Sequence, residues 1–120
     1  INNEIEWIDK YIPDKLAGLY FSASDVIVLP YKNASQSGVI PLSYSYNKPV
    51  IASNISGIKE MIEHGKTGYL FNKNDEQDLS KMIIDFFNSN VDYTGNIKEF
   101  KKQFAWNYFI KELLELHEKI

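Results

Sequence analysis

The spacing of apolar residues changes along this chain. Three short runs are apolar without a break: Val26-Ile27-Val28-Leu29, Val50-Ile51-Ala52 and Tyr69-Leu70-Phe71. A short run with no polar alternation predicts a strand covered on both faces, as in a parallel sheet. Between these runs the apolar positions recur every three or four residues. Leu16, Leu19 and Tyr20 predict a helix over Pro13–Ser22, with the proline in its first turn. Val39, Leu42 and Tyr46 predict a second over Ser37–Tyr46. Leu79, Met82, Ile83 and Phe86 predict a third over Asp75–Asn88. Weaker patterns predict a short strand at Ile5–Ile8 and a short helix at Ile58–Glu63, set off by Gly57 and Gly65. The tail predicts two helical segments, Ile97–Phe104 and Asn107–Lys119.

Strands alternating with helices over short connections predict βαβ units. The expected fold class is α/β: a Rossmann-like, three-layer α/β/α arrangement on a mostly parallel sheet of about four strands. Successive strands should lie side by side. Ligands in such sheets bind beyond the carboxyl ends of the strands. That rule selects Tyr31–Gly38, Ser53–Gly57 and Asn72–Asn74.

Composition narrows the function. A chain of 120 residues builds one domain at most. Its net charge of −3 argues against a nucleic-acid surface. All 13 basic residues are lysine, so the planar fork that best grips phosphate is absent. There is no cysteine, which excludes disulfides and thiolate metal sites and fits a reducing compartment. No apolar run is long enough to span a bilayer, and no signal peptide is visible. The chain opens on Ile1, as expected of a piece of something longer.

The segment NASQSGVIPLSYSYNKPVIAS, residues 33–53, carries the main candidate chemistry. Ser37 is a plausible N-cap, and Gly38 follows with no side chain. The amides of Gly38, Val39 and Ile40 fall in the first turn, where intrahelical acceptors are lacking. Pattern alone leaves two readings open: an anion site, or a capped helix with water at its start. Pro41 lies in the first turn, where its missing N–H matters little. Asn47 can take the left-handed cap before Lys48-Pro49. Lys32 is close enough to neutralise an anion here. Lys48 is about 15 Å away at the far helix end.

Other motifs are weaker. Gly65-Lys66-Thr67 has the ending of a P-loop, but Glu60 stands where that loop needs glycine, and the segment leads into a strand. It reads as a turn. His64 and His117 are the two histidines, and neither has zinc-ligand spacing with a carboxylate. Glu60, after Ser56-Gly57, is either a ligand-facing carboxylate or a charge interacting with a helix start. Phe100, Phe104, Trp106, Tyr108 and Phe109 make the tail aromatic. They suit either packing on this domain's core or docking on a second domain.

In order and spacing, ASDVIVLPY, SQSGVIPLSYSYNKPVIAS and SGIKEMIEHGKTGYLF resemble the C-terminal domain of family 4 glycosyltransferases of group 1. FAWNYFIKELLELHEKI is similar to the family's closing helix. The resemblance implies a retaining enzyme of GT-B type, with two Rossmann-like domains, of which this chain would be about two-thirds of the donor-binding one. Residues 1–104 would be the partial nucleotide-sugar-binding domain, and 105–120 the closing helix, packed on it or toward the missing N-terminal domain.

By the same resemblance, Ser35, Gln36, Ser37, Gly38 and Val39 would hold the donor diphosphate. Lys32, Ser56, Gly57 and Glu60 are candidate donor-sugar or nucleotide contacts. Ser56-Gly57 and Glu60 are similar to the family's Gly-Gly-x-x-Glu turn, with Ser56 for the first glycine. Ala34 and Leu42 stand where the family pattern carries glutamates. A further cation on the diphosphate would come from a strand–helix unit before Ile1. The parent would move a sugar from a UDP- or GDP-type donor to a glycan or lipid-linked acceptor in cell-surface polysaccharide synthesis. It would need no metal or cofactor, and it would be cytoplasmic or peripheral at the inner membrane face. No catalytic residue is expected in this segment, and the fragment alone should be inactive. A non-catalytic nucleotide-sugar-binding or protein-interaction module is the rival reading.

Overall fold

The structure, a computed structural model, describes residues 4–119, without the side chains of residues 108, 109 and 116–119. The element order is α1 (Asp14–Ala23), β1 (Ile27–Leu29), α2 (Val39–Ser45), β2 (Val50–Ser53), a 3-10 turn (Lys59–Met61), β3 (Gly68–Phe71), α3 (Glu76–Asn88) and α4 (Tyr93–Lys119). The three strands form one parallel sheet in the order β1-β2-β3. Ile27 pairs with Val50 and Leu29 with Ala52, while Val50 pairs with Gly68 and Ser53 with Phe71.

Strand β2 is central, and all four of its residues are buried. The pleat sends Val50 and Ala52 to one face and Ile51 to the other. Val50 and Ala52 join Ile40 and Tyr44 of α2, Ile58, Ile62 and Ile97 of α4. Ile51 joins Tyr69, Phe71 and Met82 of α3. Helices therefore cover both faces, which makes the domain a three-layer, Rossmann-like α/β unit.

The sheet has three strands where about four were expected. Ile5–Ile8 forms no strand, and Ile5 and Trp7 are exposed. Strand β1 is consequently an edge. Val28, in register with Ile51, is 37% exposed, because α3 packs over β2 and β3 and leaves β1 uncovered on that face. Its unbroken apolar run therefore overstated its burial.

Helix ends follow their local chemistry. Helix α2 stops in a Schellman motif: Asn47 takes φ +58°, its N–H donates to the Tyr44 carbonyl, and the Lys48 N–H donates to the Ser43 carbonyl. The Asp75 carboxylate caps α3 by accepting from the Asp78 N–H at 3.0 Å. The helix expected at Ile58–Glu63 is reduced to the 3-10 turn. The two tail segments are one continuous helix of 27 residues. Its aromatics divide: Phe100 meets Tyr44 edge-to-face at 5.6 Å, while Trp106 is 61% exposed. The side chains of Tyr108, Phe109 and His117 lie outside the described residues.

The turn Glu63–Gly68 is a local structure with no P-loop character. Gly65 takes φ +82°, the Thr67 N–H donates to the Glu63 carbonyl, and the chain runs directly into β3. His64 Nδ1 accepts from the Leu70 N–H at 3.0 Å.

Candidate functional site at the carboxyl edge of the sheet

The three loops selected from the sequence leave the carboxyl ends of β1, β2 and β3 and meet there. The closest approach joins the first two. Gly57 takes φ +87°, and a Cβ on it would overlap the Ser35 carbonyl. Only glycine allows both the backbone conformation and the contact. The Glu60 carboxylate holds this turn by accepting from the Gly57 N–H at 2.9 Å. One oxygen of Glu60 is thereby tied to its own turn, as in a capping box.

Asn33, Ala34, Ser35, Ser56 and Gly57 line one open concavity of about 560 Å³. Of the residues expected to bind ligand, the fold thus brings Ser35, Ser56 and Gly57 together. Lys32 lines a neighbouring cavity of about 370 Å³ with Ser53, Phe71, Asn74, Asp75 and Glu76. That cavity is also walled by the acidic start of α3. Gln36 and Gly38 are exposed, and Val39 is half-buried. A third cleft, of about 130 Å³ between α2 and α4, has almost entirely apolar walls and lies away from this edge.

Ser37 has another role than a free donor. It is buried, and its Oγ accepts from the N–H groups of Val39 at 3.2 Å and Ile40 at 3.3 Å. Helix α2 therefore begins at Val39, two residues later than the periodicity predicted. Two of the three amides of the first turn are occupied by this cap. The N–H groups of Ser35, Gln36 and Gly38 meet no acceptor among the described residues. The free donors thus belong to the loop more than to the helix start.

The Tyr31 hydroxyl lies 2.7 Å from Ser37 Oγ. A serine oxygen has two lone pairs and one hydrogen. The two amides take both lone pairs, so the Ser37 hydroxyl donates to Tyr31. The phenolic hydrogen of Tyr31 is then left for another acceptor at this edge.

Two residues at this edge carry no local signal of their place in it. Tyr31 starts the loop after β1, and Lys73 sits in the loop after β3. Lys73 Nζ donates to Asn33 Oδ1 at 3.4 Å, across 40 positions of sequence. The available signal was the convergence of strand ends, which places residue 73 beside residue 33. Among the described residues no three His, Cys, Asp or Glu side chains gather as a metal site.

A three-layer α/β domain with a parallel sheet and convergent loops at its carboxyl edge is the class that fold and site define. The chain belongs to the family described as Glycosyl transferases group 1, whose model matches residues 1–89. It is 26% identical over 98% of its length to an uncharacterized glycosyltransferase of Methanocaldococcus jannaschii, covering 34% of that protein. It is 30% identical over 88% of its length to an uncharacterized 41.2 kDa protein in the cps region of Klebsiella pneumoniae, covering 27% of it. A D-inositol 3-phosphate glycosyltransferase of Corynebacterium urealyticum is 23% identical over the whole chain, which covers 29% of that protein. The chain thus spans about a third or less of the curated relatives it matches.

Proposed function

We propose that this chain is the donor-binding part of a retaining glycosyltransferase of GT-B type. The parent moves a sugar from a nucleotide-diphosphate donor to a glycan or lipid-linked acceptor in cell-surface polysaccharide synthesis. The observation that carries the reading is the loop Ser35–Gly38. Its amides at Ser35, Gln36 and Gly38 are unspent, and its Ser35 carbonyl is pinned against Gly57 beside an open concavity. Pre-aimed N–H groups stabilise the negative charge that develops on a departing diphosphate. Ser35, Gln36 and Gly38 supply those donors. Ser37 and Val39 hold the loop's exit through the cap. Ser56, Gly57 and Glu60 form the opposite wall, and Lys32 adds charge from the adjoining cavity.

The reading invokes no metal and no cofactor. Acceptor binding belongs to a second domain, the N-terminal partner of residues 1–104, and the closing helix spans the boundary. On this reading the parent acts in the cytoplasm or at the inner membrane face.

A second reading is a binding module without turnover, favoured by Ala34 and Leu42 at positions where the family resemblance expects carboxylates. Titration with UDP, GDP and their sugars, followed at the amide resonances of Gln36, Gly38 and Val39, tests both. Shifts at these amides with sugar transfer by the full-length parent support the enzyme. Shifts without transfer support the module. No shift with any nucleotide removes the donor site.

A further inference from the structure

We infer that Lys73 is a specificity-determining cation of the donor site, reading the second phosphate of a nucleoside diphosphate. This rests on the donor reading above and adds to it a residue from a different loop.

Three observations place the ammonium. Lys73 Nζ is held at 3.4 Å from Asn33 Oδ1, and Asn33 is itself a wall of the open concavity with Ala34, Ser35, Ser56 and Gly57. The Lys73 backbone is fixed from both sides. The Asn72 N–H donates to Asp78 Oδ2 at 2.7 Å, the Asp75 N–H donates to the Asn72 carbonyl at 3.0 Å, and Asn74 takes φ +62°. Asp75 accepts the Asp78 N–H, Asp78 accepts the Asn72 N–H and Glu60 accepts the Gly57 N–H, and none of the three forms an ion pair with Lys73 among the described residues. Among the described residues, the partner of the Lys73 ammonium is a neutral amide oxygen. An ammonium carries three donors, so at least two remain for an anion.

The two lysines of this edge therefore divide. Lys32 lines a separate cavity that it shares with Asp75 and Glu76. Lys73 instead reaches Asn33, two residues before the loop with the free amides. A monophosphate held by those amides is satisfied without it. A second phosphate brings further negative charge that the amides alone leave uncompensated, and Lys73, at the Asn33 rim, supplies positive charge toward it from within this chain.

The test uses the full-length protein carrying this chain, titrated with UDP and UMP and with GDP and GMP. The wild type is expected to prefer the diphosphate. Lys73→Gln should weaken diphosphate binding about tenfold and leave monophosphate binding within about twofold, and Lys73→Arg should restore the preference. Equal weakening of both, or unchanged diphosphate binding by Lys73→Gln, overturns the inference and leaves the donor reading standing. Failure of the wild type to bind any of the four nucleotides overturns both.

Discussion

The Tyr31 hydroxyl and the Ser37 hydroxyl lie 2.7 Å apart, and through them the end of β1 is joined to the start of α2. Ser37 accepts from Val39 and Ile40, so one oxygen links a loop, a helix cap and a phenol. The site loop is therefore a braced arch, fixed at its exit by Ser37 and at its crest by Gly57.

Loss of the cap should cost stability more than loss of the phenol. Ser37→Ala removes the acceptor of two amides and is expected to destabilise by about 1 kcal/mol. Tyr31→Phe should cost about half of that. In thermal melts of the single and double variants, Tyr31→Phe should add little once Ser37 is gone. Full additivity would show that the two hydroxyls are not coupled.

Gly57 should be intolerant of any side chain. Alanine there meets both the left-handed backbone and the Ser35 carbonyl. Gly57→Ala is expected to cost roughly 1–3 kcal/mol and to weaken nucleotide binding by displacing Ser35. Gly65→Ala is the control. It shares a positive φ, at +82°, but its Cβ would meet open space. It should lower the melting temperature and leave binding alone. Binding equally impaired by both would deny Gly57 its special place.

Ile97 ties α4 to the sheet. It is fully buried in the cluster with Ile40, Val50 and Ile58. Ile97→Ala should cost about 2–5 kcal/mol in a denaturant titration. A loss below about 1 kcal/mol would mean that α4 is not part of the cooperative unit.

Alkaline pH should unfold the domain through Tyr44. Burial, opposed by the Thr67 hydrogen bond and aided by the Glu63 charge, pushes its phenol up to about 12. Tyr44 donates to the Met61 carbonyl at 2.7 Å and lies 2.9 Å from Thr67 Oγ1. The folded state thus holds a proton that the unfolded chain releases near the ordinary tyrosine value of about 10. The stability this contributes is complete below pH ~10 and declines as pH rises toward ~12, by on the order of 2 kcal/mol. Tyr93, raised to about 12 mainly by burial, acts in the same direction. Tyr44→Phe should be less stable at neutral pH but show a shallower alkaline decline. An unchanged slope between pH 10 and 12 would clear Tyr44 of the role.

If, as proposed, the acceptor is bound by a second domain, the isolated chain should bind donor weakly and transfer no sugar. Turnover of a sugar nucleotide by these 120 residues would contradict that.

Much of the fold was legible in local patterns. The runs at residues 26–29, 50–52 and 69–71 gave the strands and their parallel order, because buried parallel strands need no polar alternation. Asn47 announced the end of α2, because a helix stop depends on one residue's access to positive φ. The amphipathic stripe of α3 needed only its own period. Ile5–Ile8 misled because four apolar-leaning residues do not make a strand without a neighbour to pair with.

What the sequence alone determined, then, was the class of domain and which loops gather at the carboxyl edge of its sheet. Both follow from short-range periodicity and chain direction. Tertiary structure alone decided which amides of the loop are capped and which lysine meets Asn33. Ser37 Oγ takes the amides of Val39 and Ile40, Lys32 lines a cavity with Asp75 and Glu76, and Lys73 reaches Asn33. Hydrogen-bond satisfaction and charge pairing are settled between groups distant in sequence, and no local pattern records their partners.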